Sequence, residues 1–265
     1  MPAIKMHDNE YFALGRLSFS SMKHLLDSPA KYLHQKSFPF TGNEYTELGT
    51  AIHNYLQGAK DMVAFEPDLS QIKTKEGVVA RNPYMTNEGK ALIKEFRAQL
   101  PKGVVAVPFE TKAILEQIEK QFKENPYIKD IMDNITHTEQ AYLETVNGLE
   151  FKGKLDFEGK NFIVDLKSTG KPADEYSFKR TIYNSHYDLQ AAIYLTMKSQ
   201  AQKVPVESLD YYIIAVETFA PYEIVPYKLS RDTINHGFVK LDIVCSRYKD
   251  FIITKKPMHY TITEI

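Results

Sequence analysis

The sequence predicts an α/β (α+β) fold, in which a central mixed β-sheet is flanked by helices and preceded by a helical N-terminal part. Two observations support this prediction. Apolar residues recur at helical spacing in the first half of the chain, and strand-like runs separated by turn residues begin near Thr138. A helical segment then separates the first strands from later ones, which is the order expected of one mixed sheet. We therefore expect a single domain over residues 1–265, with a helical part of about 1–137 and a sheet core of about 138–265.

The N-terminal part carries several helix signals. Ser20 or Ser21 can cap a first helix that runs toward Ser28 and Pro29, because a proline restricts the residue before it and limits the helix. The segment from Ala59 to Pro83 is mixed in character and is predicted to be largely loop. The three further helices predicted from apolar periodicity are Glu44 to Gln57, Asn87 to Leu100, and Lys112 to Lys123.

The sheet core is predicted to open with a three-strand meander. Asn147-Gly148 separates two strand-like runs, and this dipeptide favours a type I′ hairpin because both central residues of that turn need positive φ. The meander strands are predicted at Gln140 to Val146, Leu149 to Phe157, and Phe162 to Lys167. The later elements are predicted as a helix from about Tyr183 to Gln200, strands at Leu209 to Glu217 and Tyr222 to Leu229, a helix from Asp232 to about Tyr248, and a strand at His259 to Thr263.

The composition is that of a globular protein and excludes some kinds of site. The 33 Lys and Arg residues balance the 34 Asp and Glu residues, so the net charge of -1 neither indicates nor excludes nucleic-acid binding. The single cysteine, Cys245, cannot supply a disulfide framework, a zinc ribbon or a four-thiolate cluster within one chain. There is no signal-peptide pattern and no run of about 18 apolar residues, so we expect a cytoplasmic protein without membrane spans.

Acidic and basic residues on two adjacent predicted strands form a candidate site. Because strand side chains alternate, Asp165 and Lys167 share one face, and Val164 and Leu166 share the other. Asp156, on the preceding strand, can approach Asp165 across a short turn. Two close carboxylates repel each other and need a cation or a raised pKa. Mg²⁺ takes carboxylate and phosphate oxygens, and a lysine can orient or deprotonate a water. The set fits metal-assisted phosphodiester hydrolysis, although an exposed ion pair on a strand would give the same Asp-x-Lys spacing.

Three motifs carry a resemblance to a known family. Asp156 followed by Ile163-Val164-Asp165-Leu166-Lys167 resembles the core of the PD-(D/E)xK nuclease superfamily, with Leu155 where the superfamily's name has proline. Gly49-Thr50-Ala51-Ile52-His53 is similar to the helical Gly-x-x-x-His element of RecB-type and RecE-type nucleases. Tyr187-Asp188-Leu189-Gln190 is similar to their Tyr-x-x-Gln motif.

The start of the chain narrows this resemblance. Leu17 to Met22, with Ser28-Pro29 and Tyr32 beyond it, resembles the opening of RecE-like (exonuclease VIII type) phage and prophage exonucleases. The motifs follow the order of that family from about Leu17 to Tyr194. The resemblance implies a restriction-endonuclease-like nuclease core and a metal-dependent deoxyribonuclease that uses Mg²⁺, for which Mn²⁺ can substitute.

The resemblance also implies roles for individual residues. His53, Asp156 and Asp165 would bind the metal ion, with the Leu166 carbonyl as a further ligand. Asp156, Asp165, Lys167 and Gln190 would form the catalytic set, in which Lys167 acts on the nucleophilic water.

Four further residues are candidates for DNA contact. Tyr187 would support the site or touch the DNA backbone. Apart from these four, Glu139 lies where some relatives carry an additional acid. The remaining candidates are basic residues that can contact phosphates: Lys152, Lys154 and Arg180. Each of the basic residues could instead be a solvated surface charge, and Tyr187 could instead be a packing residue.

The function implied by the resemblance is exonucleolytic hydrolysis from the ends of double-stranded DNA in phage-type homologous recombination. It implies a ring-like homo-oligomer around the duplex and a RecT-type annealing protein as partner, in a bacterial or phage-infected host cell. Two alternatives stay open. The chain could be another PD-(D/E)xK nuclease of repair, restriction or CRISPR-associated systems, or a non-catalytic DNA-binding protein on the same scaffold.

Overall fold

A computed structural model describes residues 4–38, 44–74 and 76–256 of the chain. The helices are α1 Asp8–Ala13, α2 Phe19–Met22, α3 His24–Asp27, α4 Pro29–Ser37, α5 Glu44–Leu56, α6 Asn87–Ala98, α7 Thr111–Glu124, α8 Pro126–Asp133, α9 Glu175–Asn184, α10 Tyr187–Gln202 and α11 Arg231–Arg247. The strands are β1 Ile4–Lys5, β2 Val63–Phe65, β3 Val105–Val107, β4 Ile135–Val146, β5 Leu149–Gly159, β6 Phe162–Thr169, β7 Asp210–Glu217 and β8 Ile224–Lys228. Short 3₁₀ turns cover Lys60–Met62, Pro83–Met85 and Val206–Ser208, and a π-helical turn covers Tyr248–Ile253.

Six of the described strands form one mixed sheet in the order β1-β4-β5-β6-β7-β8. β6 and β7 are parallel, and the other neighbouring strands are antiparallel. Parallel neighbours need a long crossover connection, and α9 and α10 provide it here. A second sheet consists of the parallel strands β2 and β3. The predicted fold class, a mixed central sheet flanked by helices, is confirmed. The single-domain organisation over residues 1–265 stays a prediction.

Apolar clusters cover both faces of this sheet. On one face, α10 and α11 pack against a set that includes Ile163 and Ile213. On the other face, α5, α7 and α8 pack against a set that includes Val164, Leu166 and Ile214. The central strand β6 is therefore buried on both sides, which gives the polar residues that it carries a rigid support.

The β4–β5 hairpin has the predicted turn. Asn147 and Gly148 have φ values of 50° and 74°, as a type I′ turn requires, and Val146 pairs with Leu149 across it. β4 begins at Ile135, earlier than predicted. The prediction missed its first residues because they are mostly polar and exposed and so lack the alternation of a half-buried strand.

Two predicted helices are divided in the structure. The helix predicted from Tyr183 to Gln200 is α9 followed by α10, and the break lies at His186, whose φ is 60°. The helix predicted to follow Ser20 or Ser21 is α2 and α3, and its cap is Ser18, which forms a capping box with Ser21.

The remaining predictions are met in most places. The segment from Ala59 to Pro83 is largely irregular apart from β2 and short turns. The strand predicted at His259 to Thr263 lies outside the described residues. Within the described ranges, no helix is long and apolar enough to cross a membrane.

Candidate active site

β6 presents Asp165 and Lys167 to α10, on the face that strand alternation predicts. The Lys167 ammonium forms an ion pair with the Asp165 carboxylate, and its Nζ lies 5.0 Å from the centroid of the Tyr187 ring. Gln190 Nε2 donates a hydrogen bond to Asp165 Oδ1 at 2.8 Å. Tyr187 and Gln190 lie one turn apart at the start of α10, so a single helical face supports both the acid and the lysine of β6.

Asp156 lies where β5 separates from β6. The ladder between these strands has only two residue pairs, and beyond them the Leu166 N–H donates to Asp156 Oδ2 at 2.8 Å. On the other side of β5, the ladder with β4 lacks the pair between Glu139 and Asp156, and the φ of Glu139 is 56°. Both irregularities fall at the same level of the sheet. Asp156 therefore takes part in no regular strand pairing, and its carboxylate accepts from the β6 backbone instead.

α5 completes the surroundings of Asp156. Gln57 Nε2 donates to Asp156 Oδ1 at 3.3 Å, whereas His53 Nδ1 lies 4.0 Å from Asp156 Oδ2. His53 and Gln57 are four residues apart and therefore share a helix face. Gly49 allows close packing of α5 on β6, since a Cβ at this position would lie 2.6 Å from Ser168 Oγ.

Burial and mutual charge set the ionisation of these groups. Burial raises the pKa of Asp156 and that of Asp165 to about 6, against the opposing charge of Lys167. Burial also lowers the pKa of His53 to about 4, and the charge of Lys167 lowers it further. For Lys167, burial acts to lower the pKa, but the charge of Asp165 and its other neighbours outweighs burial and the pKa is raised. The site thus combines a neutral imidazole, a charged ammonium and two carboxyls whose pKa values are raised by burial.

The donor chemistry of His53, Asp156 and Asp165 fits a divalent cation. Asp165 Oδ2 is buried, and its partner among the described residues is the Lys167 ammonium. A cation would stabilise the charged form of both carboxyls against the burial that raises their pKa, and a neutral imidazole is ready to bind a metal. In the part of the chain that is described, no three His, Cys, Asp or Glu side chains already form a metal cage. The side chains therefore supply the right atoms, and small adjustments of His53 and the acids would be needed to bring these atoms onto one ion.

A pocket of about 790 Å³ opens onto His53 and Asp156. His53 and Gln57 of α5 lie on one wall, and Asp156 and Lys154 of β5 lie on another. Lys154 forms an ion pair with Glu139, which also lines the pocket. The pocket is large enough to admit a nucleotide beside the acids. A contact between Lys154 and DNA stays a prediction.

The structure contradicts the prediction that Lys152 contacts DNA. Lys152 is only 7% exposed. Its Nζ donates hydrogen bonds to the carbonyl oxygens of Tyr11 and Leu14, both at 2.8 Å, and to that of Phe12 at 3.4 Å. Because an ammonium has three donors, these bonds leave none for a phosphate. Lys152 instead ties the N-terminal segment to β5.

The other predicted residues are placed as follows. Arg180 is exposed on α9, 5.8 Å from the centroid of the Tyr176 ring and outside the pocket lining, so its contact with DNA stays a prediction. Tyr187 lies against Lys167, and its predicted contact with DNA is likewise untested. The Leu166 side chain is buried in the apolar cluster, and the role of its carbonyl as a ligand stays a prediction.

The sequence interpretation missed several residues of the site. Gln57 could have been found, because it follows the candidate ligand His53 by one helical turn. Lys23, whose pKa is lowered by burial and by the charge of Lys167, directly follows the opening motif that ends at Met22. Tyr11 and Phe12 also line the pocket, and their positions became visible only through the contacts of Lys152.

Comparisons with known proteins bear on the fold and on the family of the chain. The structure is similar to the crystal structure of a protein of Eubacterium rectale described as a putative exonuclease, with a TM-score of 0.57 and 15% identity over 98% of this chain and 97% of that chain. At this identity the likeness shows a shared fold. A search of curated proteins found no match. Residues 18–260 match the model of a family described as a PDDEXK-like domain of unknown function (DUF3799). These findings support a nuclease, and nucleases of this class generally use divalent metals. The chain therefore belongs to the PDDEXK-like family that this model describes.

Proposed function

We propose that this protein is a Mg²⁺-dependent DNA exonuclease that hydrolyses phosphodiester bonds from the ends of double-stranded DNA, with Mn²⁺ able to replace Mg²⁺. The observation that supports it most is the convergence of Asp156, Asp165 and Lys167 beside an open pocket. The pKa of each acid is raised by burial, and the charge of Lys167 acts on both acids. A buried acid pair of this kind has an evident use as a cation site and a high cost without one.

The roles of the protein groups follow from their contacts. His53, Asp156 and Asp165 would hold the metal, which when bound would polarise a phosphate oxygen and lower the pKa of a water. Lys167 keeps its ammonium beside Asp165, where it can orient the attacking water and offset negative charge on the phosphate. Gln190 fixes the orientation of Asp165 by donating to its Oδ1.

Asp156 is held in place in a different way from Asp165. It accepts hydrogen bonds from the Leu166 N–H at one oxygen and from Gln57 at the other. These two bonds orient the carboxylate before any substrate arrives, which reduces the reorganisation needed for catalysis.

The preference for DNA ends rests on the relatives. The structural neighbour from Eubacterium rectale is described as a putative exonuclease, and the opening motif and the Tyr-x-x-Gln motif resemble RecE-like exonucleases. We extend the proposal to phage-type homologous recombination in the cytoplasm of a bacterial or phage-infected cell, with a ring-like homo-oligomer and a RecT-type annealing protein as partner.

A comparison of DNA forms tests the proposal. Linear duplex, covalently closed circular duplex and nicked circles of the same sequence are incubated with the protein and Mg²⁺, Mn²⁺ or a chelator. We expect loss of the linear duplex only, in the presence of metal, with mononucleotides or short products. Equal attack on closed circles would favour an endonuclease of repair, restriction or CRISPR-associated systems. Binding of DNA with no cleavage under any metal would favour a non-catalytic protein.

A further inference from the structure

Phe12 is an exposed aromatic ring in the wall of the active-site pocket. The residue is 72% exposed, and it lines the same pocket as His53, Lys154 and Asp156. A single exposed apolar residue on a surface needs no explanation. A bare ring in the pocket that also holds His53 and Asp156 is different, because a substrate bound in this pocket at these groups has the ring as a neighbour.

The backbone that carries this ring is anchored by a buried lysine. Lys152 Nζ donates to the carbonyl oxygens of Tyr11, Phe12 and Leu14, and these bonds use all three of its N–H donors. Burying an ammonium group is costly unless all its donors are satisfied. Here the ammonium is satisfied by the segment around Phe12 itself, so this segment is fixed to β5.

Further contacts restrain the same segment. The Leu17 N–H donates to the Glu150 carbonyl at 3.0 Å, and the Lys152 N–H donates to the Leu17 carbonyl at 2.7 Å. The Tyr11 ring contacts the Phe12 ring edge-on, with centroids 5.4 Å apart and planes at 77°. It also lies 4.9 Å from Lys152 Nζ. Phe12 is thus a solvent-exposed ring on a fixed support, which is the arrangement of a preformed contact surface.

The chemistry of the substrate identifies what the ring can contact. If the scissile phosphate lies at the acids, the nucleotide next to it lies in the pocket and brings a flat base. A base inside a duplex is already stacked on both faces, whereas an unpaired base has a free face. Stacking on an aromatic side chain is worth roughly 1–3 kcal/mol per base and tolerates any base sequence.

We propose that Phe12 is a stacking platform for an unpaired nucleobase of the strand being cleaved. This inference rests on the proposed function and deepens it, since it makes single-stranded character at the active site part of substrate recognition. A duplex end must then open by at least a terminal pair, or already carry unpaired nucleotides, for the base to reach the ring.

Binding measurements with base-free oligonucleotides test this proposal. The full chain carrying Lys167→Ala, which blocks cleavage, is titrated with single strands and tailed duplexes that either are intact or have abasic sites in the terminal nucleotides. In this background, Phe12→Ala is expected to weaken binding of intact strands by about 5- to 150-fold, the range that corresponds to one stacked base. It should change binding of the abasic strands little.

Three further variants sharpen the readout. Phe12→Trp should keep the affinity, and Phe12→Leu should lose it, because leucine is apolar but has no flat ring. Tyr127→Ala is the matched control, since Tyr127 is 75% exposed and lies outside the pocket lining. Fluorescence of 2-aminopurine in the terminal nucleotides should be quenched by the phenylalanine protein and not by Phe12→Ala.

The outcomes separate this proposal from the proposed function. Equal losses on intact and abasic strands, or full affinity of Phe12→Leu, would overturn the stacking role while leaving a nuclease in place. If the Phe12 protein binds no DNA at all, the proposed function and the stacking role fall together. Thermal unfolding of each variant shows whether it is folded, and we expect no change because the side chain is exposed.

Discussion

The two helices that flank β6 support the two acids in different ways. On the α10 side, Gln190 donates to Asp165 at 2.8 Å and both residues are buried. On the α5 side, His53 lies 4.0 Å from Asp156 and faces an open pocket. On the α10 side the helix is hydrogen-bonded to its acid. On the α5 side, His53 Nδ1 and Asp156 Oδ2 lie near each other without a hydrogen bond.

The α10 side of the site is restrained further by contacts with α11. Asp188, which lies between the tyrosine and glutamine of the motif, is fully buried. Its Oδ1 accepts from Lys240 Nζ at 2.9 Å, and its Oδ2 lies 2.5 Å from His236 Nδ1. These contacts fix the first turn of α10. Asp165 and Lys167 thus form a rigid half of the site, whereas His53, which makes no hydrogen bond to Asp156, gives the side that faces α5 an adjustable half that can approach an ion.

The largest expected effect is that of removing the lysine of the rigid half. Lys167→Ala should lower kcat by about 1,000-fold or more, because a preorganised charge at the reacting phosphate is worth on the order of 4 kcal/mol. DNA binding should be largely kept. Rates are measured on linear duplex, with Lys228→Ala, an exposed lysine outside the pocket lining, as the control. Undiminished cleavage by Lys167→Ala and by Asp165→Asn would refute the assignment of the site.

The packing of α11 on α10 gives the next effect. A Cβ at Gly237 would lie 2.0 Å from the Asp188 carbonyl oxygen, a backbone atom that cannot rotate away. Gly237→Ala should therefore force the helices apart and lower the free energy of unfolding by about 2–3 kcal/mol. Denaturant unfolding measures this change. Gly15→Ala is the control, since its Cβ would meet no atom within 4 Å. Equal stability of the two variants would show that α11 does not hold α10 in place.

Removing the imidazole of the adjustable half tests the metal assignment. His53→Ala should weaken Mg²⁺ or Mn²⁺ binding by at least about 10-fold, near 1.4 kcal/mol, with little loss of stability because the side chain makes no hydrogen bond to the acid. Isothermal titration calorimetry gives the affinity. His34→Ala, an exposed histidine of α4, serves as control. Unchanged metal affinity would remove His53 from the ligand set.

The smallest effect compares the two glutamines. Gln57→Ala should lower the free energy of unfolding by about 1 kcal/mol or less, because the hydrogen bond from Gln57 to Asp156 is long, at 3.3 Å, and faces the pocket. Gln190→Ala should lower the free energy of unfolding by about 1–3 kcal/mol, since it leaves the buried Asp165 Oδ1 without its hydrogen-bond donor. Unfolding midpoints of the two variants give the difference. The reverse order would contradict the division into a rigid and an adjustable half.

Local rules were enough to predict much of this arrangement. Strand alternation placed Asp165 and Lys167 on one face of β6, and Asn147-Gly148 predicted the hairpin that pairs β4 with β5. The fold class followed from the order of helical and strand-like patterns. These features depend on neighbours in the chain, so the sequence displays them directly.

Features that depend on distant contacts were not visible. Lys152 looks like a surface lysine, yet three carbonyls of the N-terminal segment bury it. The break between α9 and α10 has no glycine or proline, and His186 adopts a positive φ at the break. Glu139 likewise has a positive φ without a turn motif. In each case tertiary packing overrides the local preference, and no periodicity marks the position.

The hydrogen bond from the Leu166 N–H to Asp156 has a practical consequence for trapping complexes with DNA. This side chain takes the place of a missing rung between β5 and β6. Asp156→Ala would therefore leave a main-chain donor unsatisfied inside the sheet as well as remove an acid, and its phenotype would mix misfolding with inactivity. Asp165→Asn keeps an oxygen for Gln190, so it is the better inactive variant for crystals and for binding studies.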